Sequence, residues 1–292
     1  MPSPEPACPY EVGQVYNRRP DIHDRFGGQR QGSISTPQGA PFVFLFTGDS
    51  REQYGYSDGW GADGVFRYTG EGQVGPMEFV RGNRAIRDHS ANGRDLLLFE
   101  QRRDGSGYRF LGAFACAGYE LREAPDREGQ PRRVIVFQLI PPADEDPEHS
   151  RDAAPQATHD RPASLAELRR RALAAGTGVS AGGGREARRA YYERSAAVRA
   201  YVLARAQGRC EACGEPAPFR RPDGEPYLEP HHTRRVSDGG PDHPRWVAAL
   251  CPTCHRRIHH GADGNWINDR LIAFLGEIEG DGGRASAVRG VA

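Results

Sequence analysis

Residues 210–259 contain, in order, Cys210-Glu-Ala-Cys213, His231-His232, Asp238-Gly239-Gly240 and Cys251-Pro-Thr-Cys254-His255-Arg-Arg-Ile-His259. Two Cys-x-x-Cys pairs at this separation suit one tetrahedral four-cysteine zinc site, each pair on a tight knuckle turn. The histidines exceed what that ion needs. His255 and His259 stand four apart, and residues i and i+4 share a helix face, so both can bind one further ion. His231, just after a strand expected over 227–229, completes a three-histidine set with coordination positions left open for a phosphate and a water. Asp238 and Glu229 are alternative ligands that spacing alone does not separate from these. A plain zinc ribbon accounts for Cys210, Cys213, Cys251 and Cys254, but not for His231, His232, His255 and His259 together.

Upstream of the first knuckle lie two helical segments. The first, over 164–175, opens on Ser164 as N-cap with Glu167 three residues on. A glycine-rich break follows at 176–184. The second helix spans 185–207 and offers Tyr191, Ala197 or Val198, Tyr201 and Val202 to one face, with Arg185, Arg188, Arg189, Arg194, Arg199 and Arg205 spread over the other. All 39 basic residues of the chain are arginine, balanced by 39 acids. The balance is uneven: 161–209 hold 11 Arg against 3 acids. A local basic surface of this kind is expected to meet phosphate.

Residues 10–140 read as β-rich. Strands are expected over 41–47, 64–69, 94–101, 108–116 and 133–140, each rich in Phe, Val, Leu or Tyr and bounded by Gly, Asp and Asn. Many short strands with frequent turn signals favour a barrel or sandwich. Residues 143–163 then turn to Pro, Asp, Glu, Ala and His, which predicts a mobile linker. Residues 276–292, rich in glycine, are expected to fray. No apolar run is long enough to span a membrane and no signal-peptide order opens the chain, so a cytoplasmic protein is expected. Six cysteines in 292 residues do not make a disulfide framework. Cys116, in an apolar strand, is expected to be a buried inert thiol.

The segment 210–259 resembles the HNH nuclease family, with its ββα-metal fold. The paired cysteines, the His-His doublet, the Asp-Gly-Gly loop and the Cys-His-x-x-x-His helix all stand in family order. The resemblance implies His232 as general base, His231, His255 and His259 on a catalytic divalent metal (Mg2+, Mn2+, Co2+, Ni2+ or Zn2+), and the four cysteines on a structural Zn2+. A histidine that is neutral near pH 7 suits proton removal from water. Arg256 and Arg257 on the same helix are placed to steer phosphates. One departure stands out: the family has an asparagine before the second cysteine pair, and Trp246 occupies its register here. Asp242 and His243 are both near enough to replace it.

The stretch from 17 to 142 resembles the SRA domain, especially the form fused to HNH nucleases in modification-dependent restriction enzymes. The resemblance rests on Asp21-Ile-His23, Gly27-Gly28-Gln29-Arg30, Tyr68-Thr69-Gly70-Glu71-Gly72 and Gly82-Asn83-Arg84-Ala85-Ile86. It implies a curved β-barrel that flips a modified cytosine from the duplex. Tyr68 and Tyr56, or else Tyr54, would be the stacking rings, Asp58 the reader of the cytosine edge, and 29–32 and 77–84 the loops that enter the grooves. Read from the residues alone, Tyr68 alternates along a strand and is equally a core residue. One methyl group in a snug pocket discriminates by only about 1–3 kcal/mol. Rejection of thymine therefore falls to an acceptor such as Asp58, which meets the cytosine amine well and the thymine O4 badly.

These readings predict an α+β protein. Residues 10–142 form an SRA-like barrel, 143–163 a linker, and 164–275 a helical segment with an HNH module. The expected activity is cleavage of double-stranded DNA near 5-methylcytosine or 5-hydroxymethylcytosine, at variable distance because the linker is mobile. Two strands call for two active sites, hence a homodimer. The rival readings are a modified-DNA reader that does not cut, and a nuclease that recognises another DNA feature.

Overall fold

The computed structural model describes residues 8–48, 58–141, 164–174, 184–234 and 242–280. The expected linker, Tyr56 and Asp238 lie outside them. The N-terminal domain is built on one eight-stranded sheet. Its strands are β1 (Val15–Tyr16), β2 (Ile34–Ser35), β3 (Phe42–Thr47), β4 (Gly59–Trp60), β5 (Phe66–Thr69), β6 (Asp95–Gln101), β7 (Tyr108–Pro125) and β8 (Pro131–Ile140), in spatial order β2-β3-β6-β7-β8-β5-β4, with β1 on β7. One helical turn, α1 (Asp24–Phe26), precedes β2, and α2 (Arg81–Arg87) lies between β5 and β6.

The strand of period two explains how β3 serves two cores. Phe42, Phe44 and Phe46 join Tyr10, Leu97, Phe99 and Phe110 on one face. Val43 and Leu45 join Leu96, Leu98, Tyr68 and Phe137 on the other. All six residues of β3 are buried, which is why that run is continuously apolar. The sheet bends at β7. Its first half pairs with β6 and its second half with β8, and a register shift between Cys116 and Gly118 marks the bulge where it turns.

The bend brings the two arms of the sheet together. From β5, the Tyr68 hydroxyl donates to the Ser33 carbonyl at 2.7 Å, beside β2. Thr47 Oγ1 of β3 donates to Asp58 Oδ2 at 2.8 Å, and Asp58 Oδ1 accepts from the Thr69 amide at 2.8 Å. The Tyr-Thr-Gly-Glu-Gly and Gly-Asn-Arg-Ala motifs interlock next to this seam. Asn83 accepts from the Glu71 amide and donates to the Glu71 and Glu78 carbonyls, while Glu71 accepts from the Gly82 amide. The expected loop over 77–84 is therefore not free to enter a groove as a whole: Met77 is buried and residues 81–87 are helical.

Two helices follow, α3 (Leu165–Ala174) and α4 (Gly184–Ala206). Ser164 Oγ caps α3 by accepting from the Glu167 amide at 3.2 Å, as the sequence predicts. Helix α4 departs from expectation because it belongs to both cores. Ala187 and Tyr191 pack with Val65, Ala115, Ala117 and Ile140 of the sheet. Val198, Tyr201 and Val202 pack with Ala172 and Val247 on the other side. Three of its arginines are consequently taken up by protein. Arg188 donates to the Gly64 carbonyl, Arg194 to the Ala117 carbonyl, and Arg205 is buried against Glu211 and Glu279. A helix clamped between two domains cannot offer all its arginines to phosphate, so the expected basic face is reduced.

The C-terminal domain is an antiparallel pair, β9 (Glu229–His232) and β10 (Val247–Leu250), followed by α5 (Pro252–His260) and α6 (Gly264–Glu279). The strand lies two residues later than expected and carries the histidine doublet. Helix α6 was not anticipated: the chain is helical to Glu279 where fraying from 276 was expected. Its Leu271 and Leu275 close the core over β10, and Glu279 bonds Arg205 at 2.9 Å and the Tyr201 hydroxyl at 2.7 Å.

Candidate functional site

The four cysteines converge as their spacing predicts. Cys210, Cys213, Cys251 and Cys254 are unpaired by disulfide, and their ligand atoms lie within 4.8 Å of one another. A tetrahedral ion with metal–sulfur bonds of about 2.3 Å requires sulfurs about 3.8 Å apart, so the cluster fits one. Gly214, at φ +75°, lets the first knuckle turn back, and its amide donates to the Cys210 carbonyl at 2.8 Å. The Cys254 amide points to Cys251 Sγ at 3.4 Å. Burial, together with the neighbouring thiols, pushes the Cys254 thiol far above its ordinary range. Four such sulfurs hold their charge together only around a cation.

The second cluster is His231, His255 and His259, with ligand nitrogens likewise within 4.8 Å. The three rings form a near-equilateral triangle, with centroids 5.0–5.2 Å apart. The outer nitrogens of His231 and His255 are held from behind. His231 Nε2 meets Asn268 Oδ1 at 3.1 Å, and Asn268 is fixed by donating to the Thr233 carbonyl at 2.8 Å. His255 Nδ1 meets Glu229 Oε2 at 2.7 Å, and Glu229 is fixed by the Tyr227 hydroxyl at 3.0 Å. These contacts place the ring protons outward. The inward atoms, His231 Nδ1 and His255 Nε2, are buried with no hydrogen-bond partner among the described residues. Burial also lowers the His231 pKa to about 3, so that ring is neutral and its lone pair available. Orphaned, inward-facing lone pairs are what a bound divalent ion satisfies. Glu229 stands behind His255 rather than in the ligand set.

His232 alternates with His231 along β9 and faces the other way. Its Nε2 lies 3.0 Å from Asp242 Oδ1. A carboxylate accepts, so Nε2 carries the proton and Nδ1 the basic lone pair. Asp242 takes the contact with the histidine, while the Trp246 carbonyl ties the chain after the doublet by accepting from the Thr233 amide at 2.8 Å. The Trp246 indole donates to the Ala91 carbonyl of the N-terminal domain at 3.1 Å. His243 instead caps the short turn that follows, by accepting from the Arg245 amide. Arg256 is exposed on α5, and Arg257 pairs with Asp263.

In the N-terminal domain Asp58 and Tyr68 meet at the seam between the sheet arms. Tyr68 is fully buried, so in this conformation neither face is open to a base. The alternation along β5 that also marks a core residue is what the packing shows. Asp58 is partly exposed and holds Thr47 and Thr69. Asn268, behind His231, is a site neighbour that ligand spacing alone does not reveal. For Asn268 a signal existed: Ile267, Leu271, Leu275 and Ile278 recur at helical spacing and mark α6.

Residues 12–161 match the family described as ScoMcrA-like, SRA domain, and residues 210–261 match the HNH endonuclease family. The type IV methyl-directed restriction enzyme EcoKMcrA of Escherichia coli (strain K12) is 39% identical over 88 residues, which are 30% of this chain and 32% of that protein. The chain thus spans about a third of the length of that relative. Among solved structures, the type IV phosphorothioation-dependent restriction endonuclease ScoMcrA aligns over 91% of this chain and 63% of its own, at 24% identity and TM-score 0.40. The modification-dependent TagI restriction endonuclease aligns over 89% and 81%, at 20% identity and TM-score 0.34. Since the first match takes in just over half of the 292 residues and the second coincides with the two metal-ligand clusters, the chain belongs to the ScoMcrA-like SRA-domain family and carries an HNH endonuclease domain behind its SRA domain.

Proposed function

We propose that the chain is a type IV-like, modification-dependent DNA endonuclease. Its N-terminal domain selects double-stranded DNA carrying 5-methylcytosine or 5-hydroxymethylcytosine, and its C-terminal domain hydrolyses a phosphodiester nearby. The observation that carries the hydrolytic half is the meeting of three histidine rings, two of them with inward orphan nitrogens, beside a fourth histidine backed by a carboxylate.

His232 is the general base. Its Nδ1 takes a proton from water, and its Nε2–H, held on Asp242, keeps the ring in the required tautomer and stabilises the imidazolium that forms. His231, His255 and His259 would hold a divalent ion, which would supply charge stabilisation at the phosphate. Asn268 and Glu229 fix the two ring orientations, and Arg256 meets the approaching backbone. Cys210, Cys213, Cys251 and Cys254 hold a structural Zn2+ that stiffens the turns bearing these groups.

Recognition is assigned to the seam of the N-terminal sheet. Asp58 reads the cytosine amine as an acceptor, and Tyr68, with Tyr56, stacks the flipped base. Because Tyr68 is buried, base entry requires its cover to move aside. A homodimer would bring one active site to each strand.

The test is one plasmid prepared unmodified, 5-methylated, 5-hydroxymethylated and phosphorothioated, incubated with and without a chelator. The expected result is metal-dependent cutting of the cytosine-modified forms, abolished by His232→Ala with DNA binding retained. Equal cutting of the unmodified plasmid would falsify selection by modification. Cutting of the phosphorothioated form alone would transfer recognition from base to backbone.

A further inference from the structure

Asp242 does more than contact His232. Its second oxygen, Oδ2, accepts from the Ser195 hydroxyl, and the Tyr191 hydroxyl lies beside the same carboxylate, where it helps to lower the Asp242 pKa. Ser195 and Tyr191 are one turn apart on α4, so both reach the same point. Tyr191 is at the same time part of the apolar cluster that seats α4 on the N-terminal sheet, next to Ala117 and Ile140. Arg194, between them in sequence, donates to the Ala117 carbonyl at 2.7 Å. A continuous set of contacts therefore runs from the N-terminal sheet, through α4, to the imidazole.

We propose that Ser195 and Tyr191 are positioning residues for cleavage: they hold Asp242, which aims His232, so the seat of α4 on the N-terminal sheet sets the geometry of the nuclease site. The proposal rests on the reading of His232 as the base. Physically, a carboxylate with one hydrogen bond to an imidazole can swing about that bond. Two hydroxyls on a rigid helix limit that freedom, Ser195 by donating to the carboxylate and Tyr191 by lying against it. A small misplacement of a general base lowers the rate of the chemical step and leaves DNA binding alone.

Single-turnover cleavage of saturating modified duplex tests this, with duplex affinity measured separately. Ser195→Ala and Tyr191→Phe each remove one oxygen. Each is expected to slow cleavage about tenfold, the equivalent of one hydrogen bond of a charged group, with affinity and bound metal unchanged. Asp242→Ala is expected to slow it more, and in that background neither hydroxyl variant should slow it further, since both act through the carboxylate. A hydroxyl that served only folding would lower the rate in either background. Wild-type rates in Ser195→Ala and Tyr191→Phe, or additive losses with Asp242→Ala, overturn the proposal. If Asp242→Ala does not fold, the two hydroxyl variants still decide it. His232→Ala separates the two levels. If it is inactive while the hydroxyl variants cut normally, the base stands and the positioning role falls. If it cuts at the wild-type rate, the base assignment fails and the proposal with it.

Discussion

His89 shows how much of the N-terminal domain depends on one neutral ring. It is 3% exposed. Its Nδ1 faces the Arg94 carbonyl at 2.9 Å, and its Nε2 accepts from the Cys116 amide at 3.0 Å, at the bend of β7. A proton on Nε2 would point at that amide, and burial accordingly lowers the pKa to about 4. The unfolded chain binds the proton near pH 6.5, the folded one only near 4. This contribution to stability is therefore complete above pH 6.5 and lost as pH falls from there towards 4, up to about 3 kcal/mol. Denaturant midpoints near pH 7 and near pH 5 should show a smaller acid loss for His89→Gln than for the wild type. Equal losses would mean that the ring accepts its proton without cost. Cys116, beside it, is half-buried. Burial raises its thiol pKa to about 11, so it stays protonated. Tyr68 is the opposite case: its motif marks a stacking ring and its packing marks a core residue, and only the three-dimensional neighbours reveal that its hydroxyl joins the arms of the sheet.

Among the elements, the knuckles and α5 were the most legible, because ligand spacing is a local property. Cys-x-x-Cys forces a turn, and His-x-x-x-His forces one helical face. The cysteine cluster sits in the core, with Cys210 and Cys251 buried against Ala212, Leu228 and Leu250. Cys254→Ser should therefore lose the metal and melt the C-terminal domain, since structural zinc binding contributes about 10–16 kcal/mol to folding of small modules. Metal analysis should find one tightly bound zinc per wild-type chain and none in the variant, with the N-terminal sheet still cooperative in a melt. A folded, zinc-free wild type would contradict the assignment. Helix α4 was legible as a helix but not in its role. Its arginines look like a solvated face in sequence, yet Arg205 forms paired bonds to Glu211 and a third to Glu279, all three side chains buried. No helical pattern distinguishes an arginine that meets water from one that meets two carboxylates.

At the scale of the whole molecule, the domains touch through more than the segment 143–163, which lies outside the described residues. A mobile linker over 143–163 predicts cutting at scattered distances. The described contacts instead run along a shared helix: Gly184 donates to Asp63, Arg188 to Gly64, and Tyr191 packs on the sheet, while the Trp246 indole reaches Ala91 from the other side. Gly93, at φ +62°, lies so close to Trp246 that a Cβ there would come within 2.8 Å of the indole. With the domains clamped in this way, cut sites on a duplex bearing one modified cytosine should cluster within a few base pairs of a single offset. A flexible insertion at the middle of α4 should broaden that cluster. Scattered cutting by the wild type would show that the clamp opens on DNA.

Strand positions, the two metal-ligand sets and the order of the domains follow from residues close together in the chain, where periodicity and spacing act. The support behind the site does not. His231 finds Asn268 across 37 positions, Asp242 finds Ser195 across 47, and Arg205 finds Glu279 across 74. Such partners are chosen by which helix faces the cavity, and that depends on how the cores pack. A polar side chain shows the same letter whether it ends in water or behind a buried histidine ring, so the tertiary structure alone decides which it is.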